Sequence, residues 1–295
     1  MNGFINLLKP PGMSSGTAVA IVKRLTGERV GHAGTLDPEA AGVLPIMVGR
    51  ATRLLDYFTD KGKSYVAEIS FAGATDTQDA QGVIVEEGKK IPTREEILSM
   101  LPAFRGEIMQ RPPSYSAVKR GGVPLYALAR KGEMVITEAR KTDIFSLELG
   151  EKTGKDGYML HIDCGGGTYI RTLCHDLGQA MGAPAHMRFL LRNRAGAFHI
   201  ENSVTLEEIQ QAAAENRLEE MLLPLETPLM TLPEMHVPKK WEKLARNGGK
   251  LPAELMPELA DQSRCRIYFE DTFLGIGHRD DQEIRFDVGL TGGKE

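Results

Sequence analysis

Cysteine is scarce in this chain of 295 residues: Cys164, Cys174 and Cys265 are the whole set, an odd number with no CxxC pair. Such usage argues against a disulfide-framed secreted fold and for a reducing compartment, so a cytoplasmic location is expected. Long apolar runs are missing too. Nothing approaches the ~18 consecutive apolar residues that cross a bilayer. The first eleven residues end in Lys9-Pro10-Pro11 and lack the basic stretch and apolar core of a signal peptide. No membrane association is expected. The chain also lacks a nucleotide-cofactor fingerprint: Gly165-Gly166-Gly167 fits neither GxGxxG nor GxxxxGK[ST]. His161, Cys164, Cys174, His175 and His186 cluster in sequence without zinc-site spacing, and strand parity would send His161 and Cys164 to opposite faces. No metal and no cofactor are expected.

An excess of positive charge is absent as well, since the net charge is −4. Its distribution is uneven. Residues 1–100 balance at −1, residues 101–200 at +5 and residues 201–295 at −8. The basic middle third gathers Arg105, Arg111, Lys119, Arg120, Arg130, Lys131, Arg140 and Lys141. A local basic surface attracts phosphates even on an acidic protein. Taken alone, the same run also reads as a solvated face.

What is present is the ordinary apolar and charged content of a soluble globular chain. Ser14-Ser15 offers an N-cap for a helix over 16–26. Alternation from Lys63 to Ala72 puts Tyr65, Ala67, Ile69 and Phe71 on one strand face. Thr93 with Glu96, and Thr205 with Glu208, have capping-box spacing ahead of helices. A strand over Tyr158–Cys164 runs into the three glycines, after which Thr168 caps a helix carrying Ile170, Leu173 and Leu177. Pro224, Pro228 and Pro233 mark a boundary, and short strands at 265–270, 273–278 and 283–289 follow. Strands and helices mix without strict βαβ alternation, so the fold class is α+β.

One stretch carries chemistry. In Gly31-His32-Ala33-Gly34-Thr35-Leu36-Asp37-Pro38, a carboxylate stands between a glycine-rich turn and a proline, just ahead of the apolar run Val43–Val48. Pro38 restricts Asp37 to extended backbone, so such a loop can fix a carboxylate in a cleft. By spacing alone, an aspartate that hydrogen-bonds a turn is the simpler reading.

The run from Arg29 to Leu54, RVGHAGTLDPEAAGVLPIMVGRATRL, resembles the catalytic motif of TruB-type tRNA pseudouridine synthases. Four further stretches do so in the same order: Lys9 to Ser15; Lys63-Ser64-Tyr65 with Thr75 to Asp79; Arg111 to Lys119; and Gly167 to Leu173. Five ordered motifs over residues 9 to about 192 favour catalysis by Asp37. The resemblance implies that Asp37, Tyr65 and Arg171 are catalytic. Arg171 would pair with Asp37 and hold it ionised, while Tyr65 would stack on the base and help to move its C5 proton. It also implies that His32, Tyr65, Tyr169, Leu190 and Asp79 bind the substrate. His32 would support the disrupted RNA loop, Tyr169 and Leu190 would line the uracil pocket, and Asp79 would join the polar network. The implied fold is a mixed, mainly antiparallel sheet with flanking helices over 1–228, with a basic RNA-contacting insertion at about 105–141. A small β-rich, PUA-like RNA-binding module over 229–295 completes it. The implied partner is tRNA through its T-arm, with position 55 as target, and a monomer is expected. Two other readings compete: a superfamily member acting within a guide-RNA complex, and an RNA chaperone whose catalysis is incidental.

Overall fold

The computed structural model describes residues 1–113, 115, 119–120, 123–124 and 137–291. Ser114, Ser116, Ala117, Val118, Arg130 and Lys131 lie outside the described residues, as do the side chains of Lys119 and Arg120. Much of the expected basic insertion therefore lies outside the described residues.

The central sheet follows from strands that bury one face. In chain order they are β1 (Gly3–Lys9), β2 (Val30–His32), β3 (Ala41–Val48), β4 (Lys63–Ser70), β5 (Gly106–Gln110), β6 (Arg140–Thr153), β7 (Gly157–Cys164) and β8 (His186–Ala195). The spatial order is β1-β3-β8-β4-β7-β6-β5, with β2 beside β3 and the short strand Phe198–His199 beside β8. All pairings are antiparallel except that of β3 with β8, where Leu191 meets Ala41 and Arg192 meets Gly42. The predicted alternation holds on β4: Tyr65, Ala67 and Ile69, and Phe71 just beyond it, are buried. The mixed, mainly antiparallel α+β architecture is therefore observed.

Helices cover this sheet. They are α1 (Ser15–Thr26), α2 (Arg94–Met100), α3 (Ile170–Ala180) and α4 (Leu206–Ala214). Ser14 caps α1, accepting from the Thr17 amide at 3.0 Å. Thr93–Glu96 and Thr205–Glu208 form complete capping boxes. Thr168 does not cap α3. Its hydroxyl turns back to donate to the Gly165 carbonyl at 3.0 Å, and Tyr169 holds the N-cap position. The Tyr169 amide finds its acceptor on Gln110, whose Oε1 lies 3.0 Å away. A long-range amide thus holds the start of a helix whose N-cap residue makes no side-chain cap bond.

Beyond the proline-rich stretch come β9 (Glu234–His236), α5 (Glu242–Arg246), β10 (Leu251–Pro252), β11 (Arg264–Phe269), β12 (Thr272–Asp280) and β13 (Glu283–Gly289). They build a second sheet in the order β9-β11-β12-β13-β10. This sheet does not stand apart. Phe4, Val43, Leu54, Phe198 and Leu229 pack in one cluster with Tyr268, Phe273, Ile276, Val288 and Leu290. Phe4, Phe58 and Phe198 form an aromatic triplet with centroids 5.5–6.4 Å apart. Arg53 adds a hydrogen bond of 2.7 Å to the Gly289 carbonyl.

Candidate active site

The Asp37 loop is held by its backbone before its side chain is considered. Strand β2 pairs with β3 (His32 opposite Ile46), so residues 33–40 form the connection between two paired strands. Within it, every carbonyl from Gly34 to Pro38 accepts a hydrogen bond. Arg192 donates to Gly34 at 3.0 Å and to Thr35 at 3.4 Å. The Ser15 hydroxyl donates to the Leu36 carbonyl and accepts from the Leu36 amide, both at 2.9 Å. Ala40 closes a turn onto the Asp37 carbonyl at 3.1 Å. The Lys9 ammonium reaches Pro38 at 3.0 Å, and also holds Pro10 and Met13. Such a loop has little freedom left to lose when it meets a substrate, which is the structural meaning of preorganisation.

Onto that loop the first turn of α3 delivers Arg171. Its Nε lies 2.9 Å from one Asp37 oxygen and its terminal nitrogen 3.1 Å from the other. This two-point fork is the strong form of an arginine–carboxylate pair. The guanidinium also donates to the carbonyls of Thr77 (3.1 Å) and Tyr115 (3.0 Å), and stands 3.5 Å from Asp79. Only 6% of the Arg171 side chain is exposed against 35% for Asp37, so the carboxylate is partly open while its partner is buried. Burial pushes the Asp37 carboxyl above its usual range. The Arg171 guanidinium opposes that shift and the nearby Asp79 charge adds to it. Arg171 therefore favours the ionised form while burial and the Asp79 charge favour the neutral one, and the balance lies above the usual carboxylate range.

Asp79 is fixed in turn by the Thr77 hydroxyl at 2.6 Å and the Gln81 amide at 3.0 Å. Tyr65 and Leu190, each 6% exposed, lie on one face of the sheet, since Tyr65 opposes Arg192 and Leu190 opposes Ala67. Both belong to the apolar cluster that includes Leu36. Tyr169 adjoins Arg171 at the start of α3, its backbone held at both ends by the Gln110 amide. His32 stands apart from the ion cluster. Among the described residues its buried Nδ1 has no hydrogen-bond partner, and burial, followed by the charge of Arg192, lowers its pKa. Asp37, Arg171 and Asp79 thus form one network, with Tyr65, Leu190 and Tyr169 around it. Arg105, from the basic stretch, spends its guanidinium on the Leu147 carbonyl at 2.7 Å.

Sequence reasoning assigned no role to three groups that shape this site. Lys9 and Arg192 are both fully buried, and Ser15 clamps Leu36 rather than capping a helix. A signal existed for the cations: Lys9 ends the largely apolar strand FINLLK, and Arg192 interrupts FLLRNRA. Other chemistries find no support among the described residues. Gly12-Met13-Ser14-Ser15-Gly16 has the spacing of a hydrolase elbow, yet Ser14 is occupied with Thr17. Burial pushes the thiols of Cys164, Cys174 and Cys265 up to about 11, 12 and 12, far from nucleophilic at neutral pH. Among the described residues, no group of three His, Cys, Asp or Glu is placed to hold a metal ion.

The arrangement suits a reaction at a half-buried carboxylate whose ionisation is tuned by one guanidinium. Comparison with known proteins identifies the class. The TruB family pseudouridylate synthase N-terminal domain matches residues 23–170, and the tRNA pseudouridylate synthase B C-terminal domain matches residues 171–230. The tRNA pseudouridine synthase B of Pelotomaculum thermopropionicum is 43% identical over 257 residues, which cover 85% of this chain and 81% of that protein. Its counterpart in Clostridium tetani is 38% identical over 282 residues, 95% of this chain and 96% of its own length. A chain from the crystal structure of a Cbf5-Nop10-Gar1 complex superposes with a TM-score of 0.73 at 28% identity, covering 97% of this chain and 83% of that one. With two ordered family matches spanning residues 23–230, and relatives similar over most of its length, the chain belongs to the TruB family of pseudouridine synthases.

Proposed function

We propose that this protein converts a uridine of tRNA to pseudouridine in the TΨC loop, at position 55, with Asp37 as the catalytic carboxylate. The observation that carries this reading is the Arg171–Asp37 fork on a loop whose five carbonyls from Gly34 to Pro38 are all tied. The reaction breaks the C1′–N1 bond, turns the uracil, forms a C1′–C5 bond and moves the C5 proton, with N1 finally protonated. Nothing is oxidised and no group is imported, so it needs no cofactor. An ionised Asp37 at C1′ serves either of two routes: covalent capture of the sugar as C–N cleavage develops positive charge, or removal of the C2′ proton to give a glycal. Both need a pocket poor in water, because water would hydrolyse the detached sugar.

A uridine stacked in an RNA loop must be extruded to reach the cleft, at a cost of a few kcal/mol. In this reading Tyr65 stacks on the flipped base and helps to move the C5 proton, with Tyr169 and Leu190 walling the uracil. His32, whose neutral form is favoured by burial and by the charge of Arg192, fills the vacated space in the RNA. Asp79 steadies Arg171. Residues 1–228 form the catalytic part, with phosphates held by the basic stretch at about 105–141. Residues 229–295 act as a PUA-like module that reads RNA shape, since their acidity ill suits bulk attraction. The protein works as a cytoplasmic monomer.

The test is the Asp37→Asn variant. The amide keeps the size of the side chain and removes the charge, so tRNA binding persists while pseudouridine, mapped in tRNA incubated with the purified chain and no added cofactor, disappears. Pseudouridine formation by Asp37→Asn at the wild-type rate would end the proposal. Full rescue by the same variant of a folding defect in a strain lacking the enzyme would favour a chaperone role beside catalysis.

A further inference from the structure

Arg192 is a cation that the reaction scheme leaves unused. Its side chain is wholly buried, and among the described residues no carboxylate pairs with it. A buried charge without a counterion is expensive, and an apolar side chain of like size would serve better as filler. Its solvation comes instead from three backbone carbonyls: Gly34 at 3.0 Å, Thr35 at 3.4 Å and Val43 at 2.8 Å. Two of these belong to the loop that carries Asp37, and the third to the strand that follows it.

The chain makes room for this arrangement. Gly42 faces Arg192 across the parallel contact of β3 with β8, at φ +114°. A Cβ there would sit 2.1 Å from the Arg192 carbonyl oxygen, so only glycine allows the approach. Gly34, at φ +106°, lies against the guanidinium itself. On its other flank Arg192 stands directly opposite Tyr65 in the pairing of β8 with β4, close enough for its charge to oppose the rise that burial gives the phenol's pKa. Among the described residues, Cys164 at the end of β7 and Asp37 on the loop also act on that phenol.

We infer that Arg192 is a positioning residue of the isomerisation, one guanidinium that ties the Asp37 loop to the Tyr65 phenol and so fixes the gap in which the uracil turns. This rests on the roles given to Asp37 and Tyr65 above. A detached base turning between two unlinked walls would have many ways to leave. Held walls keep C5 over C1′. Lysine cannot substitute, because a single ammonium cannot reach loop carbonyls and phenol in one plane.

Full-length Arg192→Lys and Arg192→Gln are compared with the wild type on tRNA, well below their melting temperatures. Both are expected to lower kcat about 100-fold, as a misplaced reacting group does, with KM changed by no more than about twofold. In protein labelled with 13C at tyrosine Cζ, the Tyr65 resonance, assigned with Tyr65→Phe, is expected to move in Arg192→Gln at neutral pH. A role confined to packing predicts lower melting temperatures with kcat of the folded enzyme unchanged. That result, or a Tyr65 resonance unmoved in Arg192→Gln, would overturn the inference. If Arg192→Gln does not fold, the kcat and KM of Arg192→Lys decide. Failure of the underlying reading is told apart by Asp37→Asn, whose activity does not depend on what Arg192 does to Tyr65.

Discussion

Replacing Arg171 with lysine isolates the value of the fork. The charge stays, so Asp37 and Asp79 are not left as bare neighbours, which in Arg171→Met would destabilise the fold by about 3–5 kcal/mol. What goes is the second point of contact. The native guanidinium meets both Asp37 oxygens, at 2.9 and 3.1 Å, while also holding Thr77 and Tyr115. One ammonium can keep one of the two carboxylate contacts. A hydrogen bond to a charged group contributes about 1.5–3 kcal/mol. Lost chiefly at the transition state, that is a fall in kcat of roughly 10- to 150-fold. KM should hardly change, because the buried Arg171 side chain is turned to protein groups.

The pH profile supplies a second reading. Burial raises the Asp37 pKa and Arg171 lowers it, so a weaker pair leaves that pKa higher. The reaction needs the carboxylate, hence the acidic limb of kcat moves to higher pH in Arg171→Lys. Single-turnover reactions on unmodified tRNA, quenched, digested to nucleosides and resolved by chromatography, measure both quantities. A variant with kcat within about threefold of the wild type and an unmoved acidic limb would refute the view that the fork orients and ionises Asp37.

Asp79→Asn acts in the opposite sense: it removes a negative charge that raises the Asp37 pKa, so the acidic limb should shift to lower pH in the same assay. Gly42→Ala should destabilise the protein by roughly 3 kcal/mol or more, since the added carbon meets backbone at a positive φ; an unchanged urea midpoint would contradict the close approach of β3 and β8. Phe198→Ala removes the ring from the cluster joining the two sheets and should cost about 3–5 kcal/mol. Near- and far-ultraviolet circular dichroism should still report one transition, and two separate transitions would mean that the sheets are uncoupled.

The features legible in the sequence are those set by near neighbours. The caps at Ser14, Thr93 and Thr205 each join residues three apart, so they form whatever the rest of the chain does. The alternation in β4 is likewise local, because parity alone decides which side chains face the core. At the α3 terminus the same logic failed: Thr168 turns back to Gly165, and the Tyr169 amide is held by Gln110, 59 residues earlier. No window of sequence contains both. Arg192 and Lys9 hid for a related reason. Parity places Arg192 on the buried face beside Leu190, but a charge there makes sense only once the loop carbonyls it solvates are known. The Asp37–Arg171 pair spans 134 residues. The resemblance to a family supplied it, and the residue pattern did not. The three prolines from Pro224 mark a boundary in the sequence pattern, while the burial of Leu229 among them, in the cluster shared by the two sheets, depends on partners far along the chain.

That fastening bears on how a bulky substrate is received. Phe4 and Phe198 from the first sheet and Tyr268 and Val288 from the second fill one oily volume, and swinging the sheets apart would wet all four side chains. The distance from the carboxylate to the far strands is consequently built in rigidly, like a caliper with welded jaws. An RNA touching both ends must bring a matching span or bend until it has one.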